Sequence, residues 1–239
     1  MNEAAAASFT GKWRERWPEW GVAEVFVAPA ERALAVAWFA LRQELTDAAW
    51  AGNDPRPGEA KLAWWADELQ GWAQGRRRHP LGAALGAGAA PWSLLANCLP
   101  ALLASRDRAV DADQAIAAVE PFAEAVAGIA ATLFASRTPA PTRNAALALL
   151  AEQLLVQGEA SAPLLVRARL GEEVGANGFA RAWAAELLSR WPQPHDGARP
   201  GRVHAALLHG RLRDFARSGR LRPLPAWRAL WVAWGAARR

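Results

Sequence analysis

The sequence predicts an all-α protein, on three observations. Alanine is very abundant while valine and isoleucine are sparse; tyrosine is absent; and apolar residues recur at three- and four-residue spacing between proline- and glycine-rich breaks. Helix formers dominate, and the β-branched and aromatic residues that strands favour are scarce apart from tryptophan. With 239 residues and 52% hydrophobic content, the chain has ample material for a core, and it reads as one helical domain over residues 1–239. There is no internal repeat and no linker-like stretch.

The elements follow in order. Pro29 precedes a long apolar-periodic helix, Ala30 to Trp50, and NDPRPG at 53–58 ends it with turn chemistry. A second helix covers about 59–74, where Leu62, Trp65, Leu69 and Trp72 fall on one face. Pro80 and Pro91 frame the small-residue stretch LGAALGAGAA, which permits close helix approach or a bend. Helices are expected at 91–105, 111–136 and 141–157, with RTPAPT at 137–142 separating the last two. Another spans 160–190, interrupted between Gly171 and Gly178, before the loop WPQPHDGARPG at 191–201. Two shorter helices, 202–218 and 225–238, are split by Gly219 and Pro223.

Eleven of the fourteen tryptophans cluster at 13–20, 64–72, 183–191 and 227–234. They suit core packing or the walls of an apolar cavity, since each couples a large ring to one N–H that seeks a partner. The positive charge is almost all arginine and crowds into the last forty residues, a tail suited to phosphates, an acidic partner or an anionic membrane surface. No recognition motif for nucleic acid accompanies it. The one cysteine, Cys98, excludes an intramolecular disulfide and fits a reducing cytoplasm. The N-terminal stretch MNEAAAASFTGKWRERWPEW lacks the basic region and apolar core of a signal peptide, and no window holds 18 to 20 uninterrupted apolar residues.

Phosphate loops of Walker or Rossmann type, CxxC, HExxH and a nucleophile elbow are all missing, and His79, His195, His204 and His209 are too dispersed to suggest a zinc site. Carboxylate pairs remain: Glu44 with Asp47, Asp67 with Glu68, Asp111 with Asp113, and Glu172 with Glu173. The first lies inside an apolar helix, and its spacing of three puts both acids about one turn apart, near enough to share a cation or to form a polar stripe.

Three ordered blocks, RALAVAWFALRQELTDAAW (32–50), PGEAKLAWWADELQGWAQG (57–75) and HPLGAAL (79–85), resemble the opening of the squalene/phytoene synthase family. Looser similarity continues in LLASRDRAVD (102–111), EAVAGIAATLF (124–134) and LLSRWPQPHDGARPGRVHAALL (187–208). The resemblance implies an isoprenoid-synthase-type helical bundle around an apolar cavity for prenyl tails. In active members, two aspartate-rich motifs hold Mg²⁺ against a diphosphate leaving group. The first motif falls on Thr46 to Trp50, where Asp47 alone remains; the second aligns with either Glu152 or Glu186. The acidic motifs are thus eroded, which favours a non-catalytic or altered protein that binds a prenyl diphosphate or another isoprenoid. One alternative is an active head-to-head prenyltransferase, with Glu44, Asp47, Glu152 and Glu186 holding Mg²⁺ and Arg32, Arg42 and Arg190 gripping phosphate. Another is a helical assembly factor that docks through its arginine-rich C-terminus.

Overall fold

The computed structural model describes residues 2–85, 90–171, 175–192 and 196–238. Among these residues the structure is helical throughout, without strands. Glu172, Glu173, His195 and part of the small-residue stretch before Pro91 lie outside them.

Two N-terminal helices had no counterpart in the expected elements: α1 (Asn2–Arg16) and α2 (Trp20–Ala23). A 3-10 turn (Glu24–Phe26) leads into α3 (Pro29–Trp50). Pro29 sits in the first turn of α3, where its missing N–H costs nothing. The next helix, α4 (Arg56–Ala73), starts three residues before the expected position for the same reason, because Pro57 is accommodated in its first turn. The short α5 (Pro80–Ala84) follows; the expected helix at 91–105 is divided at Cys98 into α6 (Trp92–Asn97) and α7 (Leu99–Ala104), with Pro100 opening the second piece.

Asp111 caps α8 (Ala112–Leu133) by accepting from the Gln114 N–H at 2.8 Å. This helix is the one element among the described residues that is long and apolar enough to cross a membrane by length and composition. Here it packs on α7 and on α9 (Thr142–Gln157). The interrupted segment becomes α10 (Leu164–Leu170) and α11 (Gly178–Ser189). The last two helices are α12 (Arg199–Ser218), which begins inside the expected loop because Pro200 serves as an opening residue, and α13 (Ala226–Ala237). Gly219, at φ +65°, terminates α12 in the left-handed conformation and donates its N–H to Phe215 O at 2.8 Å.

Buried side chains form one contiguous core running from Trp13 to Ala233. Helix α3 is its centre, with α1, α4, α5, α7 and α9 packed around it. Most tryptophans of the first three clusters are buried, whereas Trp227, Trp231 and Trp234 of the last remain exposed.

The blocks that stood out in the sequence have structural work. Glu68, 1% exposed, accepts from the Trp72 indole at 2.8 Å, from the N–H groups of Arg78 and His79 at 2.6 and 2.8 Å, and from the Arg78 guanidinium at 2.8 Å. Burial alone would raise its pKa. The donors outweigh burial and hold it below the ordinary carboxylate value. This one carboxylate therefore pins the turn between α4 and α5, which explains why an acid in the WWADEL segment accompanies HP eleven residues on. Gly82 is needed in that corner, because a Cβ there would sit 2.8 Å from the Trp72 ring. In the SRDR segment, Arg106 donates to the carbonyls of Ala49, Ala51 and Gly52, closing the C-terminus of α3.

Helix α4 crosses α3 closely at Gly58, where an added Cβ would lie 2.1 Å from the Ala48 carbonyl oxygen. Gly58→Ala should lower unfolding free energy by about 1–3 kcal/mol. Gly11 in α1 has open space around it, so Gly11→Ala should raise stability by about 0.5–1 kcal/mol. Urea denaturation of the two variants against the parent chain checks both signs.

Candidate functional site

A cavity of about 340 Å³ opens where α1, α3, α9 and α12 meet. Trp13 and Trp17, Phe39, Leu155, Val156 and Leu221 give it apolar walls. Its polar end carries Arg16, Arg42, Asp47, Glu152, His204 and Arg211.

Local structure explains how each polar group arrives there. In α3, Phe39, Arg42, Gln43, Thr46 and Asp47 recur at three- and four-residue spacing and so share the face toward the cavity. Arg42 reaches across to α9 and donates to both Glu152 oxygens at 2.9 and 3.1 Å. Asp47 receives a two-pronged grip from Arg16 at the end of α1, at 2.7 and 2.9 Å. Arg211 of α12 lies over the Trp17 ring at 4.0 Å, binds both oxygens of buried Glu19 at 2.5 and 2.6 Å, and donates to Arg16 O at 2.8 Å. Every guanidinium at the polar end thus has its own carboxylate.

His204 is 4% exposed and is held among rings: Trp17 at 4.4 Å, Phe39 stacked at 4.7 Å and Trp13 at 5.8 Å between centroids. Its Nδ1 is 3.7 Å from Glu152, too long for a hydrogen bond. Burial keeps the imidazole neutral, well below its usual pKa, and the positive charges of Arg42 and Arg211 add to this. Burial also raises the pKa of Glu152, against the pull of Arg42.

Three buried polar atoms of the cavity lining have no hydrogen-bond partner among the described residues: Arg42 Nε, Gln43 Oε1 and His204 Nε2. Two of them, on Arg42 and His204, belong to residues that also line a smaller cavity of about 100 Å³, on the side of α8 and α9. Phe39, Arg42 and His204 therefore form the partition between the two spaces.

The structure brings together only part of the set expected from sequence. Arg42, Asp47 and Glu152 do meet. Glu44 does not join them: it faces α4 and pairs with Lys61 at 2.6 Å. A separation of three residues leaves two side chains offset around a helix, and here each is claimed by a different neighbour. Glu186 and Arg190 pair with each other at 3.2 Å, beside Asp113 and Arg169, and line neither cavity. Arg32 donates to the carbonyls of Val27 and Val25 at 3.1 and 3.4 Å, fixing the chain ahead of α3. Of the other acid pairs, Glu68 and Asp111 are structural, as described above.

These positions bear on Mg²⁺. A magnesium ion asks for about six oxygen ligands in octahedral array, and among the described residues no three His, Cys, Asp or Glu side chains converge. The two carboxylates that share the cavity are each engaged by arginine. This donor set does not fit a diphosphate-binding magnesium cluster. Cys98 offers no nucleophile either, since burial pushes its thiol pKa up to about 12.

Trp13 and Trp17 belong to the tryptophan cluster at 13–20, for which cavity walls were one of two expected uses, whereas Arg16 and Arg211 were not expected at a site. Nothing local marks Arg16 or Arg211 as partners of Asp47 and Glu19. A scan of the chain against protein-family models matches none, and a search of curated proteins finds no similar sequence.

One buried and one half-buried histidine should make the protein acid-sensitive. His204 and His209 are both neutral when folded, with His209 lowered to about 4 by burial and by Arg213 and Arg228. The unfolded chain takes up protons below about 6.5, so stability falls as pH drops from there. His204 contributes a slope of about 1.4 kcal/mol per pH unit, and the partly exposed His209 a smaller, screened one that fades near its folded pKa. Denaturant unfolding between pH 7 and pH 5 should show this slope in the parent and a flatter one in a His204→Gln/His209→Gln variant.

Proposed function

We propose that this chain is a divergent squalene/phytoene synthase-like protein that binds a single prenyl chain bearing an uncharged polar end, without joining prenyl diphosphates. The pairing of every cavity arginine with a carboxylate carries this reading. A diphosphate is recognised by guanidinium or ammonium groups free to grip it and by metal ions that neutralise it. Here Arg16, Arg42 and Arg211 already answer Asp47, Glu152 and Glu19.

The partnerless polar atoms support the same conclusion. Arg42 Nε offers a proton, and Gln43 Oε1 offers a lone pair, so a hydroxyl or carbonyl at the end of an apolar molecule would satisfy what the protein leaves unmet. Volume points the same way: about 340 Å³ stands at the low end of ligand pockets, enough for one small apolar guest and not for the two chains of a head-to-head condensation. The walls of Trp13, Trp17, Phe39 and Leu155 suit an unsaturated hydrocarbon.

Calorimetric titration with farnesol, geranylgeraniol and farnesyl diphosphate, each with and without Mg²⁺, tests the proposal. Binding of an alcohol that is indifferent to magnesium is expected, and Val156→Trp, which fills the cavity, should abolish it while preserving helical content. Strictly magnesium-dependent binding of the diphosphate, followed by a condensed product in the mass spectrum, would establish the transferase instead. Failure of every prenyl compound to bind would end the isoprenoid reading.

A further inference from the structure

Helix α13 is built inside out. Its buried face consists of Ala229, Ala233 and Ala236, packed against α12 and α2. Its exposed face carries Trp227, Leu230, Trp231 and Trp234, at 66%, 37%, 65% and 40% exposure. The spacing i, i+3, i+4, i+7 aligns those four side chains in one stripe. At Trp227 and Trp231, about two-thirds exposed, small residues would serve equally well against water, so folding of the isolated chain does not account for large rings there. Val25, 54% exposed in the 3-10 turn that packs against α13, adds to the apolar surface.

Positive charge predominates in the segment around this helix, and Glu24, in the 3-10 turn beside it, is taken up by Arg14 at 2.9 Å. Between Arg213 and Arg238 the sequence holds a single acid, Asp214, and Arg228 occupies it at 2.5 Å. Arg217, Arg220 and Arg222 are exposed and have no carboxylate partner among the described residues. Arg220 and Arg222 flank the exposed Leu221 in the segment that leads into α13, and Arg238 lies over the Trp234 ring at 4.3 Å.

From this combination we propose that α13 docks on an anionic lipid surface, lying in its plane with the Trp227–Trp234 stripe in the headgroup region. Indole rings favour that boundary because an apolar body and one N–H are both accommodated there. Arginines beside such a stripe reach lipid phosphates while their stems cover apolar surface. An interface with a protein would ordinarily offer unpaired charges of both signs to match; a surface whose unpaired charges are all arginine matches a sheet of phosphates. Docking of α13 is independent of what occupies the cavity.

Flotation of the full chain with vesicles of phosphatidylcholine alone, or mixed equally with phosphatidylglycerol, tests this. The protein should rise with the anionic vesicles and much less with the neutral ones. Replacing the stripe through Trp227→Ala, Trp231→Ala and Trp234→Ala should lower partitioning at least ~tenfold, with the melting temperature preserved because the rings are exposed. Arg220→Gln with Arg222→Gln should lower it roughly 25-fold at low salt, a difference that added salt erases. The proposal is overturned if neither vesicle recruits the protein, or if the tryptophan variant floats as the parent does. It is equally overturned if sedimentation velocity shows a self-association lost in that variant while vesicles bind neither form, which would make the stripe a contact between copies of the chain.

Discussion

A helix enclosed on nearly every side must find a partner for each charge it carries, and α3 carries three in its buried second half. Arg42 meets Glu152 on α9, Glu44 meets Lys61 on α4, and Asp47 meets Arg16 on α1. Breaking the largely buried Arg42–Glu152 pair would cost of order 3–5 kcal/mol, while the other two pairs, which reach solvent through Arg16 and Lys61, contribute less. Each pair therefore fixes the approach of a different neighbouring helix to α3. The cavity is a by-product of the same arrangement. Two of the three pairs sit at its edge, and their geometry keeps α1 and α9 from closing over Phe39 and Thr46.

Arginine's role in this protein is consequently more architectural than its abundance suggests. Arg106 closes α3, Arg211 locks α12 to the segment between α1 and α2, and Arg32 holds the entry to α3. A planar fork with several fixed donors can satisfy carbonyls and carboxylates together, which an ammonium cannot do as well. The arginines outside these networks are concentrated near α12 and α13. On the proposed reading, internal arginines shape a cavity for a neutral guest, and external ones face a charged surface.

Much of the helical framework could be read from the chain because proline and glycine mark its ends. Pro29 and Gly219 placed the start of α3 and the stop of α12 well, whereas Pro57 and Pro200 misled, since a proline can open a helix as readily as end one. The N-terminal helix α1 went unrecognised because its apolar positions are mostly alanine, which gives no periodic contrast. In the site, Arg42, Asp47 and Glu152 were legible as candidates but Glu44, Glu186, Arg32 and Arg190 were drawn into other contacts. Which acids share a space depends on how helices distant in sequence cross, as with Arg211 and Glu19, and local spacing carries no record of that.

The partition of Phe39, Arg42 and His204 gives the cavity an unusual kind of floor. One of its three members is held by an ion pair rather than by packing alone, and the small space beyond it reaches toward Val126 and Phe134. A floor made of aromatic rings alone would depend on packing only; this one also depends on the pairing of Arg42 with Glu152. On the proposed reading, the depth available to a guest would depend on electrostatics, and a chain's length would be measured against the hold of one carboxylate on one guanidinium.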